Sequence, residues 1–110
     1  HAGGVASVVA GMPVGLLLAS EALPRDVRRV ALPCGAPLAW RFDAVDFEFL
    51  GPLLGAPAAT ARNDRSCAMR VAGPHGSVLL SADIEAGAEA ALLARHGARL
   101  ASDVLLVPHH

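Results

Sequence analysis

The sequence contains no lysine, glutamine or tyrosine, and only 17% of its 110 residues are charged. It has nine basic residues, all arginines, and ten acidic residues, which gives a formal net charge of −1. A chain that held nucleic acid through phosphates alone would be more basic, because each neutralised phosphate needs a Lys or Arg. The hydrophobic fraction of 54% disfavours disorder. The length suffices for one small domain with a packed core.

Cysteine is scarce, and its two occurrences show no CxxC spacing. Cys34 and Cys67 lie far apart, and each is flanked by apolar residues. This context favours two buried free thiols over a zinc-binding pair. The alternative of a disulfide between them stays open, so the cysteine content does not indicate whether the protein lies in a reducing or an oxidising compartment.

Charge is also absent from residues 2–20, a stretch long enough to raise the question of a membrane helix. Pro13 and four glycines interrupt the stretch, and no basic flank precedes it, which disfavours a signal peptide. We therefore expect a short helix followed by a buried strand, with no transmembrane segment.

The remaining pattern predicts mixed α/β layers. Alternating apolar residues at 45–50 are typical of a half-buried strand, and Ala88, Leu92 and Leu93 would share one helix face. The expected elements are a helix over 4–11, a buried strand over 14–19, a loop over 21–37 with a short strand near Val30, hairpins 38–42/45–50 and 66–71/77–81, a loop over 51–61, a helix over 85–96 ended by Gly97, and a buried strand over 103–107.

Three places bring a candidate metal ligand to a strand end or a helix start. His1 precedes small residues that open a helix, Asp83 directly follows an apolar strand, and His109 and His110 follow the last strand. Histidine nitrogen and carboxylate oxygen suit zinc or manganese in a hydrolytic site. The sequence contains no nucleophile elbow, phosphate-binding glycine loop or dinucleotide fingerprint.

Structural alternatives stand beside each candidate. His1 could be only a disordered terminal residue, and Asp83 could cap the following helix through its side-chain oxygen. The final histidine pair could be the remnant of an affinity tag. His75 in a predicted turn and His96 near a helix C-terminus are interpreted as structural or solvated.

Taken in order, these segments resemble the metallo-β-lactamase-type domain of the ComEC family of DNA-uptake proteins. The resemblance covers nearly the whole chain and also disfavours the tag interpretation. Its blocks are 1–4 (the family's DHxGG), 40–50 (WxxDGVxFEVLHP), 63–67 (NNxS or NDxS), 77–85 (LLLTGDIE) and 103–110 (ADVLKVPHHGS).

The resemblance implies that residues 1–110 form an incomplete domain, a partial metallo-β-lactamase-like αββα sandwich of the α/β class, truncated at both ends. It implies two divalent metal ions, zinc or manganese. Asp83 would be the bridging, catalytic carboxylate, and His1 with His109 or His110 would be metal ligands.

The implied activity is that of a metal-dependent phosphodiesterase or nuclease that degrades the non-transported DNA strand during natural transformation. Its partners would be single-stranded DNA and membrane channel domains of the same parent protein, with no small-molecule cofactor. The parent would be a bacterial inner-membrane protein whose soluble domain is periplasmic or extracytoplasmic.

The sequence departs from the family pattern at several positions. Ala82 replaces the glycine before the aspartate, Ser81 replaces threonine, and residues 51–52 are Gly-Pro instead of His-Pro. The upstream His and Asp ligands are not in the sequence, so we expect no nuclease activity from these 110 residues alone. The alternatives are a hydrolase of another phosphoester or small ester, or a non-catalytic remnant of the fold.

Overall fold

The computed structural model describes residues 4–20, 23, 27, 31–52 and 63–109. It is mixed α/β, with two sheets and two α-helices in the described part of the chain. Contacts divide the chain into two compact units, His1–Pro33 and Cys34–His110.

The first unit contains one helix and a two-stranded parallel sheet. Helix α1 spans Val5–Gly11, and strand β1 (Leu17–Ala19) pairs in parallel with β2 (Ala31–Pro33), which confirms the predicted helix–strand order and the short strand near Val30. Strand β1 is only partly buried, so the prediction of a buried strand was wrong. Among the described residues, no helix has the length and apolar character needed to cross a membrane.

The second unit is a five-stranded sheet in the order β3-β4-β5-β6-β7. The first four strands form an antiparallel meander, and β7 then pairs in parallel with β6 after a crossover through helix α2. The bounds are β3 Ala39–Phe42, β4 Val45–Gly51, β5 Ala68–Gly73, β6 Gly76–Leu80, α2 Ala86–His96 and β7 Val104–Leu106, with 3-10 turns at Asn63–Arg65 and Gly97–Leu100. Both predicted hairpins and the predicted helix are confirmed; most of the predicted loop over 51–61 lies outside the described residues.

The first hairpin turns through Asp43 and Ala44, which both have left-handed backbone, with φ of 46° and 64°. Positive φ at both central residues defines the type I′ turn that matches the twist of paired strands. Glycine is the preferred second residue of such a turn, because a Cβ is crowded in this region. Ala44 therefore occupies a strained position.

One face of the sheet packs against α2. Leu50, Ala68, Ile84 and Leu92 form a buried cluster, and Leu79, Ala88 and Leu100 pack against it. Arg99, just after α2, also pairs with Glu48 on this face, with a nitrogen–oxygen distance of 2.7 Å. Leu93 is 64% exposed, so its predicted place on the buried helix face was wrong.

The opposite face of the sheet is also apolar. Residues that pair across neighbouring strands share a face, and one such row runs through all five strands: Trp40, Phe47, Val71, Val78 and Val104. Trp40 and Phe47 stack, with ring centroids 5.0 Å apart. Trp40, Phe42 and Val104 nevertheless remain substantially exposed.

Strand β7 differs from the prediction in its burial. Its continuous apolar run predicts a strand covered on both faces. In the described part of the chain it is instead the edge strand, and Val104, Leu105 and Leu106 are each more than half exposed.

The two cysteines form a disulfide. Cys34 and Cys67 are bonded across a Cα–Cα distance of 6.0 Å, so the favoured prediction of free thiols was wrong. The bond links the segment before β3 to the segment before β5, which are brought together only by the tertiary fold. Local sequence context could not reveal that proximity.

We predict that replacing both cysteines by alanine lowers the free energy of unfolding by about 3–4 kcal/mol. The bond closes a loop with a sequence separation of 33 residues, and its loss releases conformational entropy in the unfolded chain. Urea denaturation of the oxidised, unsubstituted chain and of the double variant measures the difference. A reductant should destabilise the unsubstituted chain and leave the variant unchanged. Equal stabilities of the two without reductant would contradict the prediction.

We predict that Ala44→Gly stabilises the chain by about 0.5–1 kcal/mol, because glycine adopts the left-handed turn without the steric cost of a Cβ. Ala72→Gly is the matched control. Ala72 lies within β5, where glycine should destabilise by about the same amount. Thermal unfolding should therefore show shifts of opposite sign, and a loss of stability with Ala44→Gly would contradict the assigned turn.

Candidate functional site

Asp83 and His109 meet at one edge of the sheet. Strands β6 and β7 are parallel, and their last paired residues are Leu80 and Leu106. Asp83 and His109 each follow three residues later. Nδ1 of His109 lies 3.1 Å from Oδ1 of Asp83, and the side chain of Asp83 is only 20% exposed. The structure thus brings together two of the four predicted ligands.

The other two predicted ligands, His1 and His110, lie outside the described residues. Within residues 4–20, 23, 27, 31–52 and 63–109, no group of three His, Cys, Asp or Glu side chains is arranged to hold a metal ion.

A tight turn directs Asp83 toward β7. Ala82 has φ of 57°, a left-handed conformation that glycine adopts at lower cost. The sequence pattern that residues 77–85 resemble has glycine at the position of Ala82, and this conformation gives a physical reason for that glycine. Ser81, just before the turn, is 5% exposed, and its hydroxyl donates a hydrogen bond to the carbonyl of Leu106.

Helix α2 begins after Asp83 and is held by a different carboxylate. The N-cap residue is Glu85, two positions after Asp83. Glu85 donates its backbone N–H to Oδ1 of Asp64 at 2.9 Å, and Asn63 donates to Oε1 of Glu85 at 3.0 Å. A Cβ at position 87 would lie 3.1 Å from Oδ2 of Asp64, so Gly87 permits this close approach.

The opposite end of the β6–β7 pair is held by Asp103. Its Oδ2 accepts hydrogen bonds from the backbone N–H of Ser77 at 2.7 Å and from the Ser77 hydroxyl at 2.9 Å. These bonds, with the hydroxyl contributing most, hold the pKa of the Asp103 carboxyl below its usual range. The positive charge of Arg70 acts in the same direction.

The other two described histidines are His96 and His75. The His96 ring lies with Nε2 3.1 Å from the carbonyl oxygen of Leu50, linking the end of α2 to β4. His75 is exposed in the turn between β5 and β6. Both agree with their interpretation as structural or solvated residues.

Sequence reasoning identified Asp83 and His109 but not the residues that hold them. Asp64, Ser77, Ser81 and Asp103 all act through contacts between segments more than 20 residues apart. The available signal was positional: one serine lies at the start of β6, another directly follows the strand, and an aspartate precedes β7.

Two curated proteins are similar to this chain. One is competence protein ComA of Neisseria gonorrhoeae, 35% identical over 71 residues, which are 64% of this chain and 10% of ComA. Another is the uncharacterized protein YcaI of Escherichia coli K12, 36% identical over 78 residues, which are 71% of this chain and 10% of YcaI. The match thus spans about one tenth of each relative's length.

No model of a protein family matches the chain. No solved structure matches it either.

We predict that Asp103→Asn destabilises the chain at neutral pH and that the difference vanishes in acid. A carboxyl whose folded pKa is lowered contributes stability above its usual pKa and loses it as pH falls through the folded value. Urea denaturation between pH 7 and pH 2 measures the difference. Asp46→Asn, in an exposed pair 3.4 Å from Arg41, is the control and should change little. A pH-independent loss with Asp103→Asn would contradict the prediction.

Proposed function

We propose that this chain is part of a metal-dependent, nuclease-like domain of a DNA-uptake membrane protein of the ComEC type. The domain would hydrolyse phosphodiester bonds in the DNA strand that is not transported. The observation that carries the proposal is the meeting of Asp83 with His109 beyond the ends of two parallel strands. Ligands of α/β proteins collect at such a strand edge.

The similarity to a competence protein supports the biological context. The ComA match covers nearly two thirds of the chain, and competence is the process by which bacteria take up DNA. The match covers only a tenth of ComA, so the activity of the whole protein enters here as part of the proposal. The order of the sequence blocks that resemble the ComEC family points the same way.

The donor atoms at the strand edge fit a divalent metal ion. Nδ1 of His109 and Oδ1 of Asp83 lie 3.1 Å apart in a direct His–carboxylate contact. Two donors this close together could serve as ligands of the same ion, in place of their contact with each other. A nitrogen and a carboxylate oxygen are donors that suit zinc or manganese.

Two donors do not complete a metal centre, which needs at least three protein ligands. We propose that other residues of the parent protein supply the remaining ligands. Bound metal ions would lower the pKa of a water molecule and offset phosphate charge. The net charge of −1 is then compatible with a DNA substrate, because the ions supply positive charge.

The two faces of the large sheet support a layered domain. Helix α2 packs on the face that carries Leu50 and Leu79, while the opposite face carries the apolar row that includes Trp40 and Phe47. A sheet that is apolar on both faces is typical of the interior of a layered α/β fold. An αββα sandwich would cover this second face.

The disulfide supports a location outside the cytoplasm. Structural disulfides form and persist in oxidising compartments such as the bacterial periplasm, whereas the cytosol keeps thiols reduced. Cys34 is buried within the second unit, so its bond to Cys67 belongs to the folded structure. An extracytoplasmic domain would meet incoming DNA before transport.

We predict that Asp83→Asn in the parent protein abolishes metal-dependent DNA cleavage and lowers the bound metal content. The substitution preserves size but removes the negative charge that strengthens carboxylate binding to a divalent ion. Metal analysis of the purified protein and cleavage of single-stranded DNA with manganese or zinc measure the two effects. Asp46→Asn, an exposed carboxylate on β4, is the matched control and should retain both properties.

The outcomes separate the candidate functions. Unchanged metal content and cleavage with Asp83→Asn would overturn the proposal. Hydrolysis of a small phosphodiester such as bis(p-nitrophenyl) phosphate, without DNA cleavage, would favour a hydrolase of another phosphoester. The isolated 110-residue chain should not cleave DNA, and cleavage abolished by Asp83→Ala would show that these residues suffice.

A further inference from the structure

The contact between Asp83 and His109 depends on the register of β7 against β6. Both residues lie three positions beyond the last pair, Leu80 with Leu106. A slip of β7 by one residue would move His109 by about 3.3 Å along the strand direction and turn each strand side chain to the other face. The observed contact of 3.1 Å would then be lost.

The backbone and the apolar side chains specify this register only weakly. The parallel ladder contains three pairs, which join Val-Leu-Leu of β6 to Val-Leu-Leu of β7. The β7 side chains are each more than half exposed, so alternative registers would bury similar apolar area. Register is poorly specified where one face of a strand is not clearly buried. Other interactions must therefore select it.

A buried hydroxyl makes such an interaction at the end of the ladder that carries the candidate ligands. Ser81 is a polar residue that the fold buries, and only 5% of it is exposed. Its hydroxyl donates a hydrogen bond to the carbonyl of Leu106. A slipped β7 would take that carbonyl away and leave the buried hydroxyl only its longer contact of 3.4 Å with the carbonyl oxygen of Ala82. Loss of the better hydrogen bond of a buried group is costly. Ser77 and Asp103 hold the other end, farther from the candidate ligands.

We propose that Ser81 is a positioning residue for the candidate metal site: its hydroxyl fixes the register of β7 at the end near the candidate ligands, as Ser77 and Asp103 do at the other end, and thereby places His109 against Asp83. The inference rests on the proposed function for its metal-binding consequence. The left-handed turn at Ala82 begins directly after Ser81, so the same residue also sets where the segment carrying Asp83 leaves β6.

The test compares two substitutions of nearly equal size. Ser81→Thr keeps the hydroxyl, whereas Ser81→Val has the same branched shape without it. In the parent protein, manganese affinity measured by calorimetry should fall about 10–100-fold with Ser81→Val, the range for lost outer-shell contacts, and stay within about threefold with Ser81→Thr. Thermal unfolding shows whether both variants remain folded, and Ser81→Ala replaces the pair if the added bulk unfolds them.

A second readout needs no metal. In the 13C,15N-labelled protein, a nuclear Overhauser effect between the His109 ring and the Cβ protons of Asp83 should persist with Ser81→Thr and weaken with Ser81→Val. Equal effects of the two substitutions on this signal would overturn the positioning role. If Asp83→Asn leaves manganese affinity unchanged while Ser81→Val still weakens the signal, the metal site fails and the positioning role stands.

Discussion

Two strands that run in the same direction must finish at the same edge of their sheet, and the second strand can be reached only by a crossover. In this chain the crossover is α2, which connects β6 to β7 and packs on the sheet through Leu92. Asp64 holds the start of this helix by accepting the N–H of Glu85. Three features therefore depend on the pairing of β6 with β7. The candidate site lies at the end of that pair, Leu92 of α2 packs in the core, and Asp64 before β5 contacts the start of α2.

Much of this arrangement could be predicted from the sequence. Periodicity and turn residues gave the element order, both hairpins and the span of α2, since these patterns reflect local geometry. Burial was less predictable, because an apolar run such as residues 104–107 looks the same whether or not another layer covers it. The disulfide between Cys34 and Cys67 was missed for a related reason: their proximity is a property of the tertiary fold.

The candidate site was predicted in the same partial way. The positions of Asp83 and His109 after strands indicated a shared edge, but their contact required a register that no local pattern encodes. That register involves hydrogen bonds from Ser77 and Ser81 to partners about 25 residues away. Local composition also gives no sign of the left-handed backbone at Ala44 and Ala82, because alanine is not the residue that signals such turns.

The late position of β7 in the chain also affects the order in which the strands pair during folding. The meander from β3 to β6 pairs neighbouring segments, and such contacts close short loops at little entropic cost. The β6–β7 pairing spans about 26 residues and must await the docking of α2. We therefore expect His109 to reach Asp83 in one of the last steps of folding. Until then the apolar residues 104–107 have no strand partner, which makes this interval the stage most exposed to self-association.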